Sequence, residues 1–216
     1  KIAVIYNGIQ YEEIQKIPYE DYRKKWELND DDFVLVTVGR NRPVKRMELL
    51  FETLRKLRDY DKIKCLCVGP EENLAILAEK YEITKSIILT GRMPDKNTFC
   101  INPPFPELIN TYRTANLYVS TSYVESFGSA ATDALASGIP IIVGKNHGVR
   151  EIIKEGHSGW AMEKETPEEL AEMILSLYNN RHKLHGMRHE ILASVDWLTW
   201  DYVAKEMIEV YKKVLS

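Results

Sequence analysis

The stretch Tyr118-Val-Ser-Thr-Ser-Tyr-Val-Glu125-Ser-Phe-Gly-Ser-Ala-Ala-Thr-Asp133-Ala-Leu-Ala-Ser-Gly138-Ile-Pro140-Ile-Ile-Val143 decides the fold. Leu117 to Ser120 is a short apolar run, Ser120 to Gly128 is small and polar, and Ser129 to Ser137 is Ala-rich until Gly138-Ile-Pro140 stops it. That order predicts strand, loop, helix and strand. Two acids, Glu125 and Asp133, stand with seven residues between them, roughly two helical turns, so both approach the helix start from a similar side. The amides of Ser126, Phe127 and Gly128 would be unpaired at a helix N-terminus, which suits an anionic phosphate. One element can therefore hold a phosphate with backbone while its acids bind hydroxyl groups.

Working outward, the same alternation repeats. Phe33-Val-Leu-Val-Thr-Val38 and Ile63-Lys-Cys-Leu-Cys-Val68 are continuous apolar runs of the kind expected for strands buried on both faces of a parallel sheet. Ile2 to Ile5, Ser86 to Thr90 and Ile139 to Val143 read as further strands. Between them, Met47, Leu50, Phe51, Leu54 and Leu57 have helical spacing, as do Leu74, Leu77, Ala78 and Tyr81. Helices are also expected over Pro18 to Leu28 and from Pro106 through Tyr112. From Thr166, which forms a capping box with Glu169, the pattern is wholly helical: Leu170, Met173, Ile174 and Leu177 mark one buried face, and Val203, Met207, Ile208, Tyr211 and Val214 mark another. The prediction is α/β, a Rossmann-like doubly wound parallel sheet over residues 1–216 as one domain, with C-terminal helices over 166–216.

Ligands of open α/β sheets bind at the carboxyl ends of the strands. There the sequence places Gly39-Arg-Asn-Arg-Pro-Val-Lys-Arg46, with basic residues at 40, 42, 45 and 46, and Gly91-Arg92-Met93, which reads equally well as a plain turn. Residues 95–105, Asp-Lys-Asn-Thr-Phe-Cys-Ile-Asn-Pro-Pro-Phe, are longer than such a connection needs and read as an insertion beside the same edge.

A net charge of −3 argues against a nucleic-acid partner. No apolar run approaches the roughly 18 residues of a spanning helix, and no signal-peptide pattern opens the chain, so the expected location is the cytoplasm. Cys65, Cys67 and Cys100 are read as reduced structural thiols. Asn29-Asp-Asp-Asp32 is read as a solvated loop, and His182, His185 and His189 as an exposed polar face, because no H-E-x-x-H accompanies them; no metal site is expected. Gly138 to Lys145 departs from a P-loop in spacing and lacks the Ser or Thr, and no predicted strand is followed by G-x-G-x-x-G, which argues against a dinucleotide-binding oxidoreductase.

Glu125, Phe127-Gly128 and Asp133 resemble the E-x7-E signature of family 4 retaining glycosyltransferases of the GT-B fold, with Asp in place of the second Glu. Gly39-Arg40 to Lys45 matches that family's Gly-Arg-x4-Lys pattern, and Gly148 to Glu151 its glycine-rich turn, all in the family's order. The resemblance implies that the chain is the donor half of such an enzyme. Residues 1–10 would be the crossing from an N-terminal acceptor domain, which lies outside this sequence. Arg40 and Lys45 would pair with the donor diphosphate, Ser126, Phe127 and Gly128 would add amides, Glu125 would contact the transferred sugar, and Asp133 the ribose. Arg92 and Met93 would meet the nucleobase. Arg46 stands where the family often has Gly. Glu125, Arg40 and Lys45 would carry catalysis, with a nucleoside diphosphate sugar as substrate and no metal or cofactor; the isolated chain would be inactive. Peripheral membrane association of the full enzyme is compatible with this reading. The alternative is a nucleotide-sugar-binding or regulatory module without catalysis.

Overall fold

Phe33–Val38 (β1) is buried almost throughout because both of its faces are covered. In the computed structural model, which describes residues 2–71, 73–94 and 103–215, Val34 and Val36 point into one hydrophobic cluster while Phe33 and Leu35 point into another. Such alternation is what a two-sided strand requires. β1 pairs in parallel with Ile63–Val68 (β2) on one side and Leu117–Val119 (β4) on the other. Ile87–Gly91 (β3) extends the sheet beyond β2, and Ile141–Val143 (β5) and Gly159–Ala161 (β6) extend it beyond β4. The order is β3-β2-β1-β4-β5-β6, so the chain winds outward in both directions from the β1/β4 junction. This is the doubly wound parallel sheet expected from the sequence.

One face is covered by Pro106–Thr114 (α4), Ser129–Ala136 (α5) and Arg188–Ala193 (α8), whose buried Ile109, Tyr112, Ala131, Leu135 and Ile191 share a cluster with Val34, Val36 and Tyr118. The other is covered by Met47–Lys56 (α2), Leu74–Lys80 (α3) and Pro167–Asn179 (α6), with Leu50, Phe51, Leu74 and Ile174 packed on Phe33, Leu35 and Cys65. Burial pushes the Cys67 thiol up to about 12 and the Cys65 thiol well above its ordinary value, so both are inert packing residues. The remaining helices are Tyr11–Lys16 (α1), Arg181–Gly186 (α7) and Trp200–Leu215 (α9).

The Thr166 hydroxyl caps α6 by accepting from the Glu169 amide at 3.2 Å. The reciprocal half of the box is displaced. Glu169 accepts the amides of Glu163, Lys164 and Glu165, so it orders the turn ahead of the helix and leaves the cap residue's own amide aside.

Several expectations are corrected. Residues 2–8 form no strand; Ile2 and Val4 are exposed, and the segment is held by side-chain contacts of Tyr6 and by the bridge of Ile9 to Thr199. The expected Pro18–Leu28 helix is a single turn: Glu27 adopts φ 53°, and Asn110 and Thr114 of α4 accept the amides of Glu20 and Tyr22. Gly148–Glu151 forms one 3-10 turn, and Gly159–Ala161 supplies the edge strand β6, which the sequence reading did not anticipate. His182 and His189 are exposed, and no metal-binding group of His, Cys, Asp and Glu occurs among the described residues. Cys100 and residues 95–102 of the expected insertion lie outside the described residues, as does the His185 side chain.

Candidate functional site

At the β1/β4 junction two neighbouring strands send their following loops to opposite sides, opening the crevice where doubly wound sheets hold ligands. The loop after β1 turns through a short 3-10 segment, Pro43–Lys45, before α2. The loop after β4 crosses residues 120–128 to the start of α5. From these two loops Lys45 Nζ and Glu125 Oε1 meet in ion-pair contact, with Ser122 Oγ donating to the same carboxylate oxygen at 3.3 Å. Both side chains are half-buried, so their charges are only partly screened.

Beside this pair, Gly128 is the N-cap of α5 at φ 90°, and no side chain caps the helix. The amides of Ser126, Phe127 and Gly128 have no hydrogen-bond partner among the described residues. Unpaired amides at a helix start form a cradle for an anion. Phe127 is buried and stacks on Tyr6 at 5.8 Å, which anchors the loop while Ser126 stays exposed.

The cradle rests on the loop after β5, a support that sequence reasoning missed. Glu125 N donates to Asn146 O at 3.2 Å, and Gly148 N donates to Glu125 O at 2.9 Å. A Cβ at residue 128 would lie 2.1 Å from His147 Cε1, and one at residue 148 would lie 2.0 Å from Ser126 O. Both glycines are therefore demanded by close approach, and His147 is the floor under Gly128. His147 is 3% exposed with an unpartnered Nδ1; burial, followed by opposing effects of Glu125 and Lys45, lowers its pKa to about 4, so it is neutral near pH 7. A lone histidine in a polar loop carries no sequence signal of this kind.

Asp133 lies in the second turn of α5, because the helix begins at Ser129. Burial raises its carboxyl to about 6, and its charge in turn pushes up the buried Tyr112 and Tyr118 hydroxyls, after the larger effect of their own burial. Arg40 is exposed at the end of β1. Arg92 is exposed and Met93 half-buried just past β3, two strands away from β1; Met93 Sδ accepts from Thr111 Oγ1 of α4 at 3.5 Å. Thus the structure brings together Lys45 and Glu125 at the start of α5 with the 126–128 amides, while Arg40 lies exposed after β1, Asp133 lies within α5, and Arg92 and Met93 follow β3 two strands away.

A cavity of about 700 Å³ lies elsewhere: Arg23, Arg113 and Arg188 line it together with Asn116 and Gly138, residues that precede β4 and β5. These guanidiniums are occupied with carbonyls. Arg113 donates to Ile14 O and Ile17 O, Arg188 to Ser137 O, and Arg23 to Asn29 O, so they satisfy the ends of α1 and α5 and a loop. A cleft of about 580 Å³ does border the candidate site, lined by Glu125, Lys145, His147, Gly148 and Glu151. Topology and free amides favour the latter edge.

Residues 18–192 match the model of the family described as glycosyl transferases group 1. The chain is 26% identical over 224 residues to D-inositol 3-phosphate glycosyltransferase 1 of Catenulispora acidiphila, covering 100% of this chain and 52% of that protein. It is 28% identical over 196 residues to the D-inositol 3-phosphate glycosyltransferase of Rhodococcus jostii, covering 88% and 42%. Among solved structures, a glycosyltransferase from Rickettsia africae superposes with a TM-score of 0.84 at 20% identity, over 100% of this chain and 58% of that one. Anabaena HepE in complex with UDP superposes with a TM-score of 0.77 at 19% identity, over 98% and 57%. The chain spans about half the length of the curated relatives it matches. With a match that covers most of its length, the chain belongs to the glycosyl transferases group 1 family.

Proposed function

We propose that this chain is the donor-binding half of a retaining glycosyltransferase, which moves a hexose from a nucleoside diphosphate sugar to an acceptor held by an N-terminal half outside this sequence. The observation that carries the reading is the meeting of Lys45 and Glu125 beside the free amides of Ser126, Phe127 and Gly128, at the switch point of the sheet.

In this reading Arg40 and Lys45 neutralise the diphosphate as the glycosidic bond breaks and negative charge builds on the leaving oxygen. The three amides take further phosphate oxygens, Glu125 orients the sugar hydroxyls, and Asp133 reaches the ribose through a bridging water. Arg92 and Met93 border the base. The acceptor oxygen bonds to the anomeric carbon on the face that the phosphate leaves, and its proton passes to the departing phosphate oxygen. No protein nucleophile, metal or cofactor has a part in this sequence.

The exposed apolar stripe of α9, including Ile208 and Tyr211, fits a surface covered by the missing half. Alone, the chain binds donor and transfers nothing. No helix among the described residues is long and apolar enough to cross a membrane, and the reading places the enzyme in the cytoplasm, with any membrane contact peripheral. A binding or regulatory module without catalysis is the second reading, favoured by Asp133, whose shorter, readily protonated carboxyl suits a ribose contact poorly.

Calorimetry with UDP, GDP and ADP sugars tests the donor site; absence of binding to all of them contradicts both readings. Joining the N-terminal half and assaying transfer separates them.

A further inference from the structure

Two residues near the cleft adopt left-handed backbone without being glycine, and their side chains meet. Arg46 has φ 47° and ψ 47°, and Glu165 has φ 54°. Glycine is the favoured residue in such conformations, so side chains there are retained at a conformational cost. Arg46 Nη2 lies 3.2 Å from Glu165 Oε2, with the Glu165 side chain 5% exposed. Nη2 is enclosed and has no aligned hydrogen bond, so this is a charge contact.

The pair ties together the loops that build the cleft. Arg46 Nε donates to Thr121 O at 2.9 Å, and Thr121 Oγ1 donates back to Lys45 O at 2.8 Å and Arg46 O at 3.1 Å. Tyr123 N donates to Val44 O at 2.8 Å, and the Arg46 guanidinium lies 5.6 Å from the Tyr123 ring centre. On the other side, Glu165 Oε1 accepts the Lys145 amide at 3.0 Å and fills the space where a Cβ on Gly144 would come within 2.5 Å. The loops after β1, β4 and β5 are thus fastened to the turn before α6 by one half-buried cation and one buried anion.

We propose that Arg46 and Glu165 are positioning residues: their ion pair clamps the loop of Lys45 against the loop of Glu125 and so presets the distance across the donor cleft. Lys45 is the chain neighbour of Arg46, and Glu125 follows Tyr123 by two residues, so loosening the pair lets both drift. The consequence for ligands rests on the donor-site reading; the clamp itself does not.

The test uses Arg46→Gly and Glu165→Gly in the 216-residue chain, since glycine suits both backbones and the relief of left-handed strain offsets part of the stability lost with the pair. Two measurements are made: hydrogen exchange of the Tyr123 amide in free protein, and calorimetric affinity for UDP and GDP. The clamp predicts Tyr123 exchange faster by about fivefold or more in both variants, and nucleoside diphosphate binding weaker by about tenfold. Arg46→Lys, which keeps the charge, should fall between. Tyr123 protection and UDP affinity within about twofold of wild type in both glycine variants would overturn the proposal. If wild type binds neither nucleotide while Tyr123 exchange accelerates, the donor reading falls and the clamp stands.

Discussion

Lys45 and Glu125, 80 positions apart in the chain, are in direct ion-pair contact at the mouth of the β1/β4 crevice. In the proposed reading, the cation assigned to a phosphate and the carboxylate assigned to a sugar neutralise each other across this contact. A ligand that takes one partner must separate the pair, so the two residues should respond oppositely to substitution.

Lys45→Ala removes the phosphate contact and should weaken UDP binding by about 1 to 3 kcal/mol. Glu125→Gln frees the ammonium and removes a negative charge from the cleft, so UDP without its sugar should bind more tightly, by about 1 kcal/mol. Calorimetry on the two variants checks this. Equal weakening in both would show that Glu125 supports the phosphate site instead of competing with it.

The interlocked glycines give a second prediction. Gly128→Ala puts a methyl into the His147 ring and strains φ 90°, and Gly148→Ala drives one into the Ser126 carbonyl. Each should lower stability by about 2 kcal/mol or more. Ala at 128 meets a side chain that can be shortened, so His147→Ala should restore part of the loss at 128 and none at 148. Denaturant melts of the single and double variants measure both.

The third prediction concerns acid. His147 is held at about 4 against an ordinary 6.5, so the unfolded chain takes its proton first and stability is lost as pH falls from 6.5 to 4. Asp133 is held at about 6 against 3.8, so the folded chain takes its proton first and stability is gained as pH falls from 6 to 3.8. At ~1.4 kcal/mol per pH unit each effect is about 3 kcal/mol, and they nearly cancel in the wild type. Relative to wild type, His147→Gln should become more stable on acidification through this window and Asp133→Asn less stable. Unfolding curves that stay parallel to wild type from pH 6.5 to 4 would contradict the assignment.

The long periodic elements were legible in sequence because their local pattern and tertiary burial agree: β1 and β2 occupy the expected residues, α2 ends one residue short of the spaced Leu57, and α6 starts just after its expected cap Thr166. β6 was not, since Gly159–Ala161 is short and its pairing is supplied by Ile141–Val143. The Pro18–Leu28 helix failed because its spacing is helical while Glu27 leaves the helical backbone. At the site, Lys45 and Glu125 were readable from the spacing within their own loops. His147 and Glu165 act through contacts with distant loops, for which a single segment carries no pattern.

The proposed donor site at the β1/β4 edge is tested most directly by titrating the isotopically labelled chain with UDP and following backbone amide shifts. The account predicts saturable shifts that are largest at Lys45, Ser126, Phe127 and Gly128 and that vanish in Lys45→Ala. Shifts confined to residues around Arg113 and Arg188, or none at millimolar UDP, would contradict it.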